Sequence, residues 1–272
     1  MKAFCIITNC VKDPEYRITN QIKNLIEEEG AAAFIADEVD GKYNLPDGID
    51  CIISLGGDGT LIRAAGDFHN EDIPLIGVNL GTLGYLTEIE CTTLEEDIKI
   101  LVNGNPILEE RMMLQGQLRN VSGVALNDIV LARSGDIRII RFRIYVNGSY
   151  LHSYKGDGIV VSTATGSTGY SMSAGGPIVE PTASIFIVTP ICSHALNSRS
   201  IVLSSEDIIE IVLDEGREGI QDQASVSFDG ASPVTIQTGE RITITKANKT
   251  MKLMKLSKVS FLETLREKMA GN

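Results

Sequence analysis

The sequence has no tryptophan, three histidines and five cysteines in 272 residues. Without tryptophan, and with few other aromatics, it lacks the platforms on which single-stranded nucleic acid stacks. Lys and Arg are also in deficit, 24 against 36 Asp and Glu. The resulting net charge of −12 argues against tracking a nucleic-acid backbone, which is bound by neutralising phosphates. None of His69, His152 and His194 has a second His or Cys at ligand spacing, so no dedicated transition-metal site is expected. Cys5, Cys10, Cys51, Cys91 and Cys192 form an odd set with no CxxC pair, which predicts reduced, buried thiols rather than bridges or zinc ligands. The longest apolar run, residues 184–192, is interrupted by Thr189 and Pro190 and falls short of the roughly 20 residues a membrane helix needs. The apolar stretch after Met1 and Lys2 ends by Thr8, with no signal-peptide core. A cytoplasmic protein without nucleic-acid or membrane partners is the expectation.

The charge is uneven. Residues 1–110 hold 7 Lys and Arg against 21 Asp and Glu, whereas the remainder hold 17 against 15. This shift predicts two domains, at 1–110 and 111–250, with a segment 251–272 returning to the first. In the first part, apolar runs at 3–8, 32–36, 51–55 and 75–78 read as buried strands. Between them, Ile18, Ile22, Leu25 and Ile26 recur at helical spacing before Gly30 as a C-cap, and a second helix is predicted over 60–68. Thr93 and Glu96 have capping-box spacing ahead of a helix carrying Leu94, Ile98, Leu101 and Val102. Such alternation predicts a parallel α/β sheet.

From about Arg111 the period changes to two. Phe142, Ile144 and Val146 alternate with polar neighbours, and Asn147-Gly148 supplies a type I′ hairpin turn. Val226 with Phe228, and Ile242 with Ile244, alternate likewise, so this half reads as β-rich. Phe261, Leu262, Leu265 and Met269 return to helical spacing and are expected to pack on the first domain. Lys246, Lys249, Lys252, Lys255 and Lys258 recur every three residues and read as a solvated edge.

The strongest chemical signal is GGDGT at 56–60, directly between a strand and a helix. Gly56, Gly57 and Gly59 permit a tight turn with close approach of backbone N–H groups to phosphate, and the following helix N-terminus adds its positive dipole end; Thr60 closes the turn. Asp58 would repel a phosphate, so it is expected to face a hydroxyl or to act through a divalent cation. Neither Walker A nor GxGxxG is present, which removes the P-loop NTPase and dehydrogenase fingerprints. Two further acidic turns, Asn127-Asp128 and GDG at 156–158, precede apolar runs, and the Asn-Asp pair suits a ribose diol or an amide edge. The Gly- and hydroxyl-rich run 162–177 reads as a ligand-cradling loop; it has no GxSxG elbow for a serine nucleophile.

Together these residues resemble the NAD kinase family over nearly the whole chain: GGDGT, NLGTLGYL at 79–86, Asn127-Asp128, GDG, TATGSTGYSMSAGGP at 163–177 and SHALNSRSIVL at 193–203. GGDGT alone is shared with lipid kinases; the Asn-Asp pair with the serine-glycine run singles out NAD kinases. The resemblance implies a Rossmann-like α/β N-terminal domain and a β-sandwich-like C-terminal domain, with the site between them. It implies transfer of the ATP γ-phosphoryl group, or that of polyphosphate, to the 2′-hydroxyl of the adenosine ribose of NAD. It implies a divalent cation, Mg²⁺, with ligands unassigned, and a homodimer or homotetramer. By the same resemblance Asp58 accepts the hydroxyl proton, late in the transfer, beside Gly59. Asn127, Asp128, Asp157 and the segment Thr168, Gly169, Tyr170, Ser171, Met172 and Ser173 line the NAD site, with Tyr85, Arg63 and Lys155 in support. The chain departs from the family with Asp128 for Glu, Gly169 for Ala, Tyr85 for Phe and Ser193 for Pro. A lipid kinase is opposed by the acidic composition and the lack of a basic amphipathic segment. A non-catalytic NAD(P) sensor is opposed by the retained Asp58, and an oxidoreductase is a third reading.

Overall fold

The central strands of the first sheet, at residues 3–8, 51–56 and 75–79, are buried along nearly their whole length, as burial on both faces demands. In chain order its elements are β1 (Ala3–Thr8), α1 (Arg17–Glu28), β2 (Ala32–Ile35), the ribbon β3 (Glu38–Val39) and β4 (Lys42–Tyr43), β5 (Cys51–Gly56), α2 (Asp58–Asp67), β6 (Leu75–Asn79), β7 (Ile89–Glu90), α3 (Leu94–Asn103) and β8 (Ile107–Arg111). The structure, a computed structural model, describes all residues except 40–41, 82–83, 136–138, 196–197, 217–218, 257–258 and 271–272. Parts of the NLGTLGYL and SHALNSRSIVL motifs and Lys258 therefore lie outside the described residues.

The chain divides into one unit of Met1–Glu110 with Met251–Asn272 and a second of Arg111–Thr250. In the first, β1, β2, β5, β6 and β7 pair in parallel. Strand β21 (Met251–Lys255) completes the order β2-β1-β5-β6-β21-β8. Ile22 and Ile26 of α1 and Ile98 and Leu101 of α3 cover the sheet residues Phe4, Ile6, Ile53 and Val78. Each such burial contributes on the order of 1.5–3 kcal/mol. Gly30, at φ +83°, ends α1 in the left-handed conformation its position requires. The capping box expected at Thr93 is absent: its hydroxyl donates to Asp97 Oδ2 at 2.6 Å instead of capping α3. A complete box forms at Ser260 and Glu263, opening α5 (Phe261–Met269). The return of the C-terminal segment is made by β21 and by Glu88, which accepts from Lys255 Nζ at 2.8 Å and Leu256 N–H at 3.0 Å. Helix α5 buries none of its residues; Leu262 and Met269 are 70% and 75% exposed.

The second unit consists of β9 (Leu114–Leu118), β10 (Val121–Ala125), β11 (Asp128–Arg133), β12 (Ile140–Val146), β13 (Ser149–Gly156), β14 (Gly158–Ser162), a 3₁₀ turn at Thr165–Thr168, α4 (Tyr170–Ser173), β15 (Ile185–Ile191), β16 (Ile201–Ser204), β17 (Ile209–Leu213), β18 (Gln223–Phe228), β19 (Val234–Gln237) and β20 (Arg241–Lys246). Two six-stranded sheets result, ordered β10-β9-β20-β17-β12-β13 and β16-β15-β14-β11-β18-β19. Phe142, Ile144, Ile211 and Ile244 of one meet Ile129, Val161, Phe186 and Val226 of the other in a single core, which makes this unit a sandwich. Asn147 and Gly148, at φ 52° and 75°, form the I′ turn between β12 and β13. Three of the periodic lysines are individually paired: Lys246 with Glu206, Lys252 with Asp72 and Lys255 with Glu88.

Only Cys5 and Cys51 are buried; Cys10, Cys91 and Cys192 are exposed, and all five are free thiols. The expectation of uniformly buried cysteines fails because the last three sit in connections after strands rather than inside them.

Candidate active site

In an open parallel sheet, ligands bind at the carboxyl ends of the strands where the strand order reverses. Here the chain leaves β1 for β2 on one side and crosses back to β5 on the other, so the reversal lies between β1 and β5. A cavity of about 330 Å³ opens there, lined by Thr8, Asn9, Cys10 and Val11 after β1, by Gly59, Thr60 and Arg63 of α2, and by Tyr43. Helix α2 starts at Asp58, two residues ahead of the expected start at 60, so Asp58 and Gly59 form its first turn and Gly57 its N-cap. A carboxylate is favourable at that end of a helix dipole. Asp58 is fixed further: Oδ2 accepts the Tyr85 N–H at 2.7 Å, and Oδ1 accepts Leu86 N–H at 3.1 Å and Thr87 N–H at 3.2 Å. So close an approach requires Gly84, where a Cβ would lie 2.0 Å from Asp58 Oδ1. The side chain expected to face a hydroxyl or a cation thus first holds the backbone of residues 85–87. Of about four acceptor sites on a carboxylate, three are taken, and the open one is on Oδ2.

Around this core, Asn9 Nδ2 donates to Thr60 Oγ1 at 3.3 Å. Arg63 stands 5.5 Å from the Tyr43 ring centroid and 4.0 Å from Asp67. Lys268 of α5 lies 4.3 Å from the centroid of Tyr85, so this helix, though unburied, covers one face of that ring. Gly56, Gly57, Asp58, Gly59, Thr60, Arg63 and Tyr85 are thus gathered within the first unit.

The second unit holds another constellation. Asn127 and Asp128 stand at the start of β11, and their orientation is set by Asp229, which follows β18 with φ 48°. Its carboxylate accepts N–H groups of Leu126 at 2.6 Å, Asn127 at 2.9 Å and Asp128 at 2.9 Å. Thr163 Oγ1 donates to Leu126 O at 2.6 Å and accepts from Gly166 N–H at 3.0 Å. A Cβ on Gly166 would fall 2.2 Å from Asn127 O, so only glycine lets the 163–169 segment close onto Asn127. Gly169 lies beside both side chains, its Cβ position 3.4 Å from Asn127 Nδ2 and 3.8 Å from Asp128 Oδ2.

Two polar groups here lack partners. Asn127 Oδ1 is buried without a hydrogen bond, and Asp128, 6% exposed, receives no side-chain donor among the described residues. Burial, with the negative Asp229 adding to it, pushes the Asp128 carboxyl up to about 7. Burial also raises Asp229, but three N–H donors favour its ionised form. The proton of the pair therefore resides on Asp128. Buried unsatisfied polar groups are costly, and an orphan amide oxygen beside a carboxyl is a pattern that a ligand's donors and acceptors complete.

The remaining expected residues are arranged as follows. Asp157 is engaged by Arg133, Nε to Oδ1 at 2.9 Å. Lys155 lies exposed on β13, and its carbonyl accepts the His194 N–H at 2.9 Å. Thr168 Oγ1 bonds Thr165 O within the 3₁₀ turn. Helix α4 exposes Tyr170, Met172 and Ser173 but turns Ser171 inward, 3.3 Å from Thr189 Oγ1. Asn9 and Asp229 went unrecognised in the sequence. Asn9 is signalled only by standing after a buried strand, and Asp229 only by its Asp-Gly turn.

Comparison with known proteins gives the same answer along the whole length. Residues 6–105 match the ATP-NAD kinase N-terminal domain and residues 126–256 the ATP-NAD kinase C-terminal domain. The chain is 46% identical to a NAD kinase of Agathobacter rectalis, covering 100% of this chain and 99% of that one. It is 43% identical to a NAD kinase of Lachnospira eligens, covering 99% and 100%. Its fold superposes on the crystal structure of an NAD kinase from Archaeoglobus fulgidus in complex with ATP, with a TM-score of 0.80, 26% identity and 99% of each chain covered. It superposes on the yeast NADH kinase complexed with NADH with a TM-score of 0.83 at 21% identity, over 100% of this chain and 88% of that one. With a glycine turn and a fixed aspartate at the sheet reversal, and with both domains of the family matched, this chain belongs to the NAD kinase family and is an enzyme of that family.

Proposed function

We propose that the chain transfers the γ-phosphoryl group of ATP to the 2′-hydroxyl of the adenosine ribose of NAD, giving NADP and ADP, with Asp58 as the proton acceptor. The observation that carries this reading is the fixation of Asp58 by three backbone N–H groups at the end of the glycine turn. Phosphoryl transfer depends mainly on positioning and charge stabilisation. An aspartate that cannot rotate, with one acceptor site open on Oδ2, orients an incoming hydroxyl and receives its proton as the P–O bond forms. The amides of the Gly56–Gly57 turn and the start of α2 face the transferred group. Asn127 and Asp128 complete their hydrogen bonding on the dinucleotide, and the exposed Tyr170 and Met172 supply apolar contact.

The donor enters as its magnesium complex. Mg²⁺ keeps several waters and takes few protein ligands when carried on phosphates. Among the described residues, no group of three or more His, Cys, Asp or Glu could hold a metal ion. When bound, the cation neutralises charge on the phosphates.

The test is NADP formation from NAD and MgATP, coupled to an NADP-specific dehydrogenase, with Asp58→Asn alongside. The variant is expected to bind NAD by calorimetry and to lose turnover by about 10² or more, the scale of general-base catalysis. Turnover near that of the unsubstituted protein would remove Asp58 from this role, and NAD binding without any turnover in the unsubstituted chain would favour a sensor.

A further inference from the structure

We propose that Lys12 binds the polyphosphate chain of the donor, a role that rests on the kinase reading above. Lys12 lies 44 residues ahead of the glycine turn, and the fold brings them together. Its backbone is rigid on both sides. Asn9 Oδ1 accepts the N–H groups of Val11 at 3.1 Å and Lys12 at 3.3 Å. Asn9 N–H donates to Leu55 O at 2.9 Å, which ties the turn to β5. On the other side the buried Asp13 accepts Thr19 N–H at 2.9 Å and Thr19 Oγ1 at 2.7 Å.

From this turn the side chain reaches over the glycines. Lys12 Nζ donates to Gly56 O at 3.1 Å. It lies 3.1 Å from where a Cβ on Gly57 would stand and 3.6 Å from that of Gly81. The ammonium therefore sits above bare backbone at the carboxyl ends of β1, β5 and β6, beside the amides that face phosphate. One of its three N–H donors is spent on Gly56. Among the described residues no carboxylate pairs with it, in a part of the chain where acidic residues outnumber basic ones threefold. A cation with no carboxylate paired to it among the described residues, and with two donors open beside a glycine turn, matches a polyanion.

A role limited to stapling the β1–α1 turn onto Gly56 makes a different forecast, and kinetics separate the two. In Lys12→Gln the KM for MgATP is expected to rise about 10- to 100-fold, the loss of a charge-assisted contact. The KM for NAD should stay within about twofold, and Lys12→Arg should recover most of the difference. Binding of inorganic tripolyphosphate, measured by calorimetry on both variants and the unsubstituted protein, should weaken in parallel without requiring turnover. An unchanged KM for MgATP, or equal rises for both substrates with a lowered melting temperature, would overturn the assignment. If the unsubstituted protein binds tripolyphosphate through Lys12 but makes no NADP, the kinase reading fails and the phosphate site stands.

Discussion

Replacing Asp128 by Asn should stabilise the protein at neutral pH and weaken its grip on NAD. Asp128 is 6% exposed, and burial together with the charge of Asp229 raises its carboxyl from 3.8 to about 7. A group whose folded pKa is raised costs nothing below its unfolded value and progressively destabilises the fold as pH climbs to the folded value. At about 1.4 kcal/mol per unit, the cost starts near pH 4 and levels off above pH 7 at on the order of 4 kcal/mol. That is an upper figure, because side chains relax and water enters when the carboxyl ionises. Asn has no proton to lose, so the variant lacks this slope. Melting temperatures of the two proteins, followed by circular dichroism between pH 5 and 8, should separate as pH rises, by several °C at pH 8 given about 2–4 °C per kcal/mol for a chain of this size. The KM for NAD should rise in the same variant, since an amide cannot reproduce a carboxyl that gives or takes a proton against the ligand. A gap that stays constant from pH 5 to 8, or a variant less stable throughout, would show that Asp128 does not hold the proton of the pair.

Gly84→Ala should behave as an Asp58 lesion made from the opposite side. Its Cβ would fall 2.0 Å from Oδ1, so the carboxylate must leave the 85–87 amides, with a stability loss of about 1–3 kcal/mol and a kcat fall exceeding any rise in KM for NAD; full turnover would mean that Asp58 need not be fixed. Thiol titration tests the cysteine environments: the native protein should react at Cys10, Cys91 and Cys192, and at all five only after denaturation. Cys5, pushed up to about 11 by burial, and Cys51, raised by burial further still, stay inert when folded. Cys91, whose thiol is raised by burial and then by Asp13 and Glu90, should be the slowest of the exposed three. Saturating MgATP should slow Cys10 alone, because it lines the cavity beside the glycine turn; an unaltered Cys10 rate would place the donor elsewhere.

What was legible in the sequence follows from how local its cause is. The strands at 3–8 and 51–55 and the helix ending at Gly30 rest on apolar spacing and one glycine, and they stand where the residues put them. The Asn147-Gly148 turn is equally local. GGDGT was readable because strand, glycines and helix are contiguous. Capping at Thr93 was not, since Asp97, four residues on, competes for the hydroxyl that Glu96 was expected to share. The opposite happened at Ser260, whose hydroxyl donates to the box partner Glu263 itself at 3.0 Å and also accepts the Glu263 N–H at 3.3 Å, so that the box closes. Lys12 and Asp229 act across 44 and about 100 residues of chain, a distance at which no motif spacing operates.

The two units share one device that separates holding from reacting. Asp58 takes three successive backbone N–H groups from residues 85–87, and Asp229 takes three from 126–128. A carboxylate that collects several backbone donors is held in one orientation, so each fixes a loop that would otherwise carry unsatisfied amides. In the second unit the labour is divided: Asp229 holds the chain, which frees Asp128 and Asn127 to face a ligand with their hydrogen bonding incomplete. In the first unit one residue does both, because Asp58 is at once the clamp of residues 85–87 and the group whose open acceptor site meets the substrate hydroxyl. Loss of activity on substitution at 58 therefore has two components, the missing acceptor and the released loop, and Gly84→Ala, which displaces the carboxylate and releases the loop while keeping the acceptor group in the chain, separates misplacement of Asp58 from its removal.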